Sequence, residues 1–181
     1  MTSETPDAIV ARTKLWLERA VIGLNLCPFA KAVYVKDQIR YVVSRAETPE
    51  ELLPELIIEL RTLAEADPAV DPKVVDTTLL IHPAALTDFL AYNDFLAVAD
   101  AALAELGLSG ILQIASFHPQ YQFEGTEPDD VTNRTNRSPY PTLHLLREAS
   151  VEEALEGYPD AEEIPQRNIE TMRRLYGTEQ G

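Results

Sequence analysis

Three short apolar runs constrain this chain more than any other feature: RYVVSR at 40–45, TTLLI at 77–81 and ILQIASF at 111–117. They are rich in β-branched residues and too short for helices, so they read as strands. The stretches between them carry apolar residues at helical spacing. Thr48-Pro49-Glu50-Glu51 announces the first helix, with Thr48 as N-cap, Pro49 at the first helical position and Glu51 at the capping-box position. Leu52, Leu53, Leu56, Ile57, Leu60 and Leu63 form its apolar face, and Pro54 falls early enough to be tolerated. Asp67-Pro68 and Asp71-Pro72 mark the loop after it. A longer helix is expected over 85–106, with Leu86, Phe89, Leu90, Leu96, Leu103 and Leu106 inward and Gly107 at C′. Strands joined through helices pair in parallel, and the unbroken apolar run at 77–81 belongs at the centre of a sheet.

Further helices flank this unit. Residues 5–24 read as one helix, capped by Thr5, with Ile9, Trp16, Leu17, Ala20, Val21 and Leu24 on one broad face. Pro28 then suits the first turn of a short helix over 28–33, with Cys27 as its N-cap. The segment 142–147, TLHLLR, reads as a fourth strand, with a helix as the alternative. Ser150-Val151-Glu152-Glu153 forms a capping box for a helix to Glu156, and a last helix covers about 162–176. The expected fold is α/β (or α+β): a single domain over 1–181, a mixed sheet of about four strands with helical crossovers, and extra N- and C-terminal helices.

Charge and composition exclude several classes. The formal net charge is −15, from 15 basic and 30 acidic residues, and such a surface repels phosphate backbones. No nucleic-acid partner is expected. No run approaches the ~18 apolar residues of a membrane span. The N-terminus carries acid where a secretory signal carries base. The one cysteine forms no internal disulfide, and together these features place the chain in the cytoplasm, with no membrane partner.

The stretch 117–150 is the one that folding alone explains least. It holds His118, His144, Arg134, Arg137 and Arg147, and no acidic residue occurs from Val131 to Arg147. The loop 118–141 is long for a compact domain, and such loops usually carry function. The second and third strands end in His82-Pro83 and His118-Pro119, on the edge where parallel sheets bind ligands. Arg134, Arg137 and Arg147, with Asn133, Thr135, Asn136 and Ser138, offer forked and neutral donors to a small anionic ligand, carboxylate or phosphate. Cys27, His118 and His144 are ligand types for a transition metal, although their spacing matches no metal motif. The same three suit catalysis: a Cys27 thiolate favoured by its helix N-terminus, with His118 or His144 as general acid/base. Against each stands a structural role. Cys27 can be a small buried hydrophobe, the histidines can close loops, and the arginines can tie down carbonyls. No Walker, dinucleotide or nucleophile-elbow pattern is present.

LCPFA, FHPQYQFEG and TNRSPYPTLHLLREASVE together resemble a bacterial family of single-domain proteins described only as a domain of unknown function. The resemblance runs from about Trp16 to Leu175 and implies that the chain is a complete unit; it implies no mechanism. Two functional classes follow from the residues. One is a small cytoplasmic enzyme acting on a small anionic molecule through Cys27, His118, His144, Arg134 and Arg137. The other is a non-catalytic metal- or small-ligand-binding or assembly protein. Cofactor and oligomeric state are open.

Overall fold

A computed structural model describes residues 4–67, 70–71 and 73–177. Pro68 and Pro72, read above as loop residues, lie outside the described residues. The fold is α/β, built on one mixed four-stranded sheet: β1 (Ile39–Val43), β2 (Thr77–Ile81), β3 (Leu112–Phe117) and β4 (Thr142–Arg147), in the order β1-β2-β4-β3. β1 and β2 pair in parallel, joined through α3 (Pro49–Glu65). β4 enters antiparallel between β2 and β3, with Thr142 opposite both Ile81 and Phe117. The expectation that the first three strands share one direction therefore holds, but β3 pairs with β4 and not with β2. The reading of 142–147 as a strand is correct to its ends.

Helices cover both faces. On one, Leu52, Leu56, Leu60 and Leu63 of α3 and Tyr92, Phe95, Ala99 and Leu103 of α4 (Phe89–Glu105) pack on Leu80, Leu112, Leu143 and Leu145. On the other, α1 (Pro6–Trp16) and the turn of chain after it place Ile9, Leu17 and Val21 on Leu79 and Ile81. α2 (Pro28–Val35) adds Phe29 and Val33 against Leu146, where α5 (Glu148–Glu156) also packs. α6 (Ile164–Tyr176) packs on a 3₁₀-helix, Val131–Asn136, which is the ordered core of the long loop. Among the described residues no helix is long and apolar enough to cross a membrane.

Several local expectations change. The helix expected over 85–106 begins only at Phe89, because Asp88 caps it and Leu86 adopts a left-handed φ of 57° in the loop before it. Leu90 is exposed, not inward. The helix expected over 5–24 is α-helical only to Trp16 and continues as a π-helix, Leu17–Ile22. A π-turn widens the helix and re-phases its faces. It ends at Gly23, where an added Cβ would lie 2.4 Å from the Arg19 carbonyl oxygen, so only glycine closes that turn without a shift. Ser150 does not cap α5, which starts two residues earlier; its hydroxyl donates to Asp76 Oδ1 at 2.7 Å.

At the carboxyl edge of the sheet a single hydroxyl joins two strands. Tyr92 Oη donates to the Thr142 carbonyl at 2.8 Å and accepts from the Phe117 N–H at 3.0 Å. Tyr92 is fully buried. Tyr92→Phe leaves both backbone groups without this partner, and the expected loss is about 1–3 kcal/mol, read as a lower denaturation midpoint. An unchanged midpoint would show that the ladder end closes without it.

Candidate functional site

The sheet divides the residues singled out by sequence. His118 turns to the α4 side, with its ring 5.4 Å from Phe89 and 5.0 Å from Tyr92. It is fully buried and both nitrogens are engaged: Nε2 lies 3.1 Å from the Leu86 carbonyl and Nδ1 accepts the Gln120 N–H at 3.0 Å. A carbonyl only accepts, so Nε2 carries the proton and the ring is neutral. Burial draws its pKa down. His82 is arranged in a similar way. Its Nδ1 donates to the Ala85 carbonyl at 2.9 Å, its ring stacks on Tyr92, and its Nε2 is buried without a hydrogen-bond partner among the described residues. Both His-Pro corners are thus latches that fold the chain back at the strand ends.

Cys27 and His144 lie on the opposite face. Cys27 is the N-cap of α2, as the Cys-Pro pair implies. Burial raises its pKa, outweighing the lowering by the Ala30 and Phe29 N–H groups. The thiolate expected from the helix N-terminus is therefore not favoured; desolvation wins over the dipole. His144 Nε2 sits 2.7 Å from Thr77 Oγ1, and that hydroxyl already donates to the Leu145 carbonyl at 2.7 Å. Nε2 is then the donor, and burial lowers the His144 pKa to about 4. Cys27 and His144 line one small apolar cavity of about 40 Å³ together with Trp16, Phe29 and Phe117. His118 does not reach it, so the three-residue catalytic and metal set Cys27, His118, His144 does not assemble. Among the described residues no group of three His, Cys, Asp or Glu side chains could hold a metal ion.

The polar loop residues are mostly committed to the loop itself. Asn133 is fully buried; its Oδ1 accepts from Phe123 N–H and Thr126 Oγ1, and its Nδ2 donates to the Glu127 carbonyl. Asn136 Nδ2 donates to the Ser116 carbonyl while its own carbonyl accepts the His118 N–H, which docks the 3₁₀-helix on the end of β3. Ser138 Oγ donates to the Tyr140 carbonyl at 2.6 Å. Arg147 donates to the Leu63 carbonyl at 2.8 Å, and its Nε lies 3.4 Å from Asp76 Oδ1, an ion pair without hydrogen-bond geometry. Arg147 is remote from the other two arginines in role as well as in partners.

Arg134 and Arg137 differ. Arg137 donates to the Tyr121 carbonyl at 3.1 Å and the Pro128 carbonyl at 2.6 Å. Burial and the neighbouring Arg134 charge draw its pKa below the ordinary guanidinium value. Arg134 is exposed, lies 4.1 Å above the Tyr176 ring, and its guanidinium makes no hydrogen bond or ion pair among the described residues. The two arginines line a cavity of about 310 Å³ whose other walls are Trp16, Ala20, Leu24, Met172 and Tyr176. So the loop meets Trp16 from α1, and not Cys27. Trp16 lines both this cavity and the small one behind it. Trp16, Met172 and Tyr176 were invisible as site residues because each also fits a helical apolar face.

A family model described as "Protein of unknown function (DUF1415)" matches residues 8–180, and the chain belongs to that family. No curated protein and no solved structure matches the chain.

Two measurements check this arrangement. Cys27 should react with a thiol-disulfide reagent only as pH rises above the ordinary thiol value of about 8.5; half-maximal reactivity at or below neutral pH would mean an activated thiolate. The histidines set an acid limit. The His82 pKa is lowered by burial from 6.5 to about 4, so between these values the unfolded chain takes up a proton that the folded chain refuses. The stabilisation is full above pH 6.5 and is lost as pH falls toward 4, by roughly 3 kcal/mol for His82 alone. His144 acts in the same direction. Denaturation midpoints that stay flat from pH 6.5 to 4 would contradict it.

Proposed function

We propose that this protein binds a small anionic molecule in the cavity between the long loop, the π-helix and α6, and that binding rather than cysteine chemistry is its primary act. The observation that carries this reading is Arg134. Among the described residues its guanidinium N–H groups have no hydrogen-bond partner, and it is held over the Tyr176 ring at the mouth of a cavity of about 310 Å³. Stacking on an aromatic face orients the guanidinium plane without consuming its in-plane donors. Arg137 adds a second positive charge whose position is fixed by two carbonyls. Trp16, Met172 and Tyr176 give the cavity apolar walls, which lower the local dielectric and strengthen the pull of both charges on an anion. In a chain of net charge −15 this acid-poor loop supplies local attraction that the rest of the surface does not. Cys27 and His144 stay outside the reading: their cavity of about 40 Å³ is too small for a substrate and its thiol is protonated at neutral pH.

Trp16 is the single tryptophan of the chain and lines the cavity, so its emission reports occupancy. Titration with benzoate and with inorganic phosphate should give a saturable change for at least one of them, weaker at high salt. Arg134→Ala should weaken that binding about 10- to 100-fold, the loss of a charged hydrogen bond worth about 1.5–3 kcal/mol. Absence of any saturable change, or the same affinity in Arg134→Ala, would overturn the reading.

A further inference from the structure

A second basic cavity adjoins the first. It measures about 490 Å³ and is lined by Asn25, Arg167, Asn168, Thr171, Arg174 and Glu170, with Leu24 as the wall that it shares with the Arg134–Arg137 cavity. α6 runs along both, giving Met172 and Tyr176 to one and Arg167, Thr171 and Arg174 to the other. The far wall is built, not loose. Tyr158 Oη accepts from Arg167 Nη2 at 2.7 Å and from Asn25 Nδ2 at 3.0 Å, and the Arg167 guanidinium lies 5.0 Å over the Tyr158 ring. Asn25 has a left-handed φ of 52° in the turn that closes the preceding helix. The Arg174 side chain is exposed, with no hydrogen bond or ion pair among the described residues. Four arginines against one carboxylate, Glu170, therefore flank Leu24, in a protein with twice as many acidic as basic residues.

We infer that the ligand is an elongated dianion, with one anionic group at Arg134 and Arg137, the other at Arg174 and Arg167, and an apolar segment crossing Leu24. This rests on the anion-binding reading of the first cavity and names the class of molecule that fills it. A single compact anion would leave one pair of charges unused, whereas two linked anions convert the second contact into an intramolecular event with a high effective concentration. Leu24 and Ala20 are the apolar surface that a hydrocarbon or aromatic spacer needs. Arg167 is the fixed donor of its pair and Arg174 the adjustable one, so a modest range of spacer lengths is accepted.

The test is a series of α,ω-dicarboxylates of increasing chain length, each compared with the monocarboxylate of equal carbon number, followed by Trp16 emission on the full chain. At the best length the dicarboxylate should bind at least about tenfold tighter than its monocarboxylate. Arg174→Ala should abolish that advantage and leave monocarboxylate affinity within about twofold; the side chain is exposed at the end of α6, so the variant folds. No advantage at any length, or an advantage that survives Arg174→Ala, overturns the inference. In that event monocarboxylate binding that is lost in Arg134→Ala still supports the first cavity as an anion site. Loss of all saturable binding in the unaltered chain would overturn both.

Discussion

The hydroxyl of Tyr92 sits where the sheet must open. β3 and β4 pair closely along their length, yet at Phe117 and Thr142 the chain has to part: one strand leaves into a 24-residue excursion and the other returns from it. A bare end of this kind would leave a backbone N–H and a carbonyl buried without partners. The Tyr92 oxygen serves both at once. The rings of His82 and His118 both pack on Tyr92, each kept neutral by burial, with its one proton directed to a carbonyl. The geometry of the whole loop is inherited from this point, since the His118 N–H and the Ser116 carbonyl are what Asn136 grips.

From there the loop is made rigid by side chains that look, in sequence, like ligands for something else. Asn133 spends its carbonyl and its amide on three loop groups, and Arg137 spends its fork on two carbonyls. Irregular backbone cannot satisfy its own polar groups as a helix or sheet does, so it borrows side-chain donors and acceptors. The residue left over is the informative one. Arg134 stands on a frame made by its neighbours, and its orientation comes from Tyr176, a residue of α6 about forty positions away.

What was readable in the sequence follows the range of the interactions involved. Caps are local, so Thr5, Thr48 and the Cys27-Pro28 start are where the amino-acid pattern puts them. Strands are short and their apolar content is plain, so β2 and β4 agree to the residue. The address of β4 was not readable, because pairing partners are chosen by contacts distant in sequence. The start of α4 was missed because Leu86 continues the helical spacing while its backbone turns left-handed to let His82 reach Ala85. The cavity around Arg134 was half readable: the loop supplies its charges, but Trp16 and Tyr176 reach it only through packing of the first and last helices. Cys27 was placed correctly at its N-cap, but which of its readings burial favours was not readable, since burial is a property of the fold that no N-cap pattern reports.

The insertion of β4 between β2 and β3 also bears on how the chain is made. β1, α3 and β2 can associate as soon as they are synthesised, because β1 and β2 are neighbours. β3 has no strand to pair with until residues 142–147 have emerged, and β2 keeps one edge unpaired for the same interval. An unpaired central edge as apolar as Thr77–Ile81 is an invitation to foreign strands. The nascent protein therefore passes through a stage, about sixty residues long, in which its most hydrophobic strand is open on one side, and the last strand to leave the ribosome is the one that closes it.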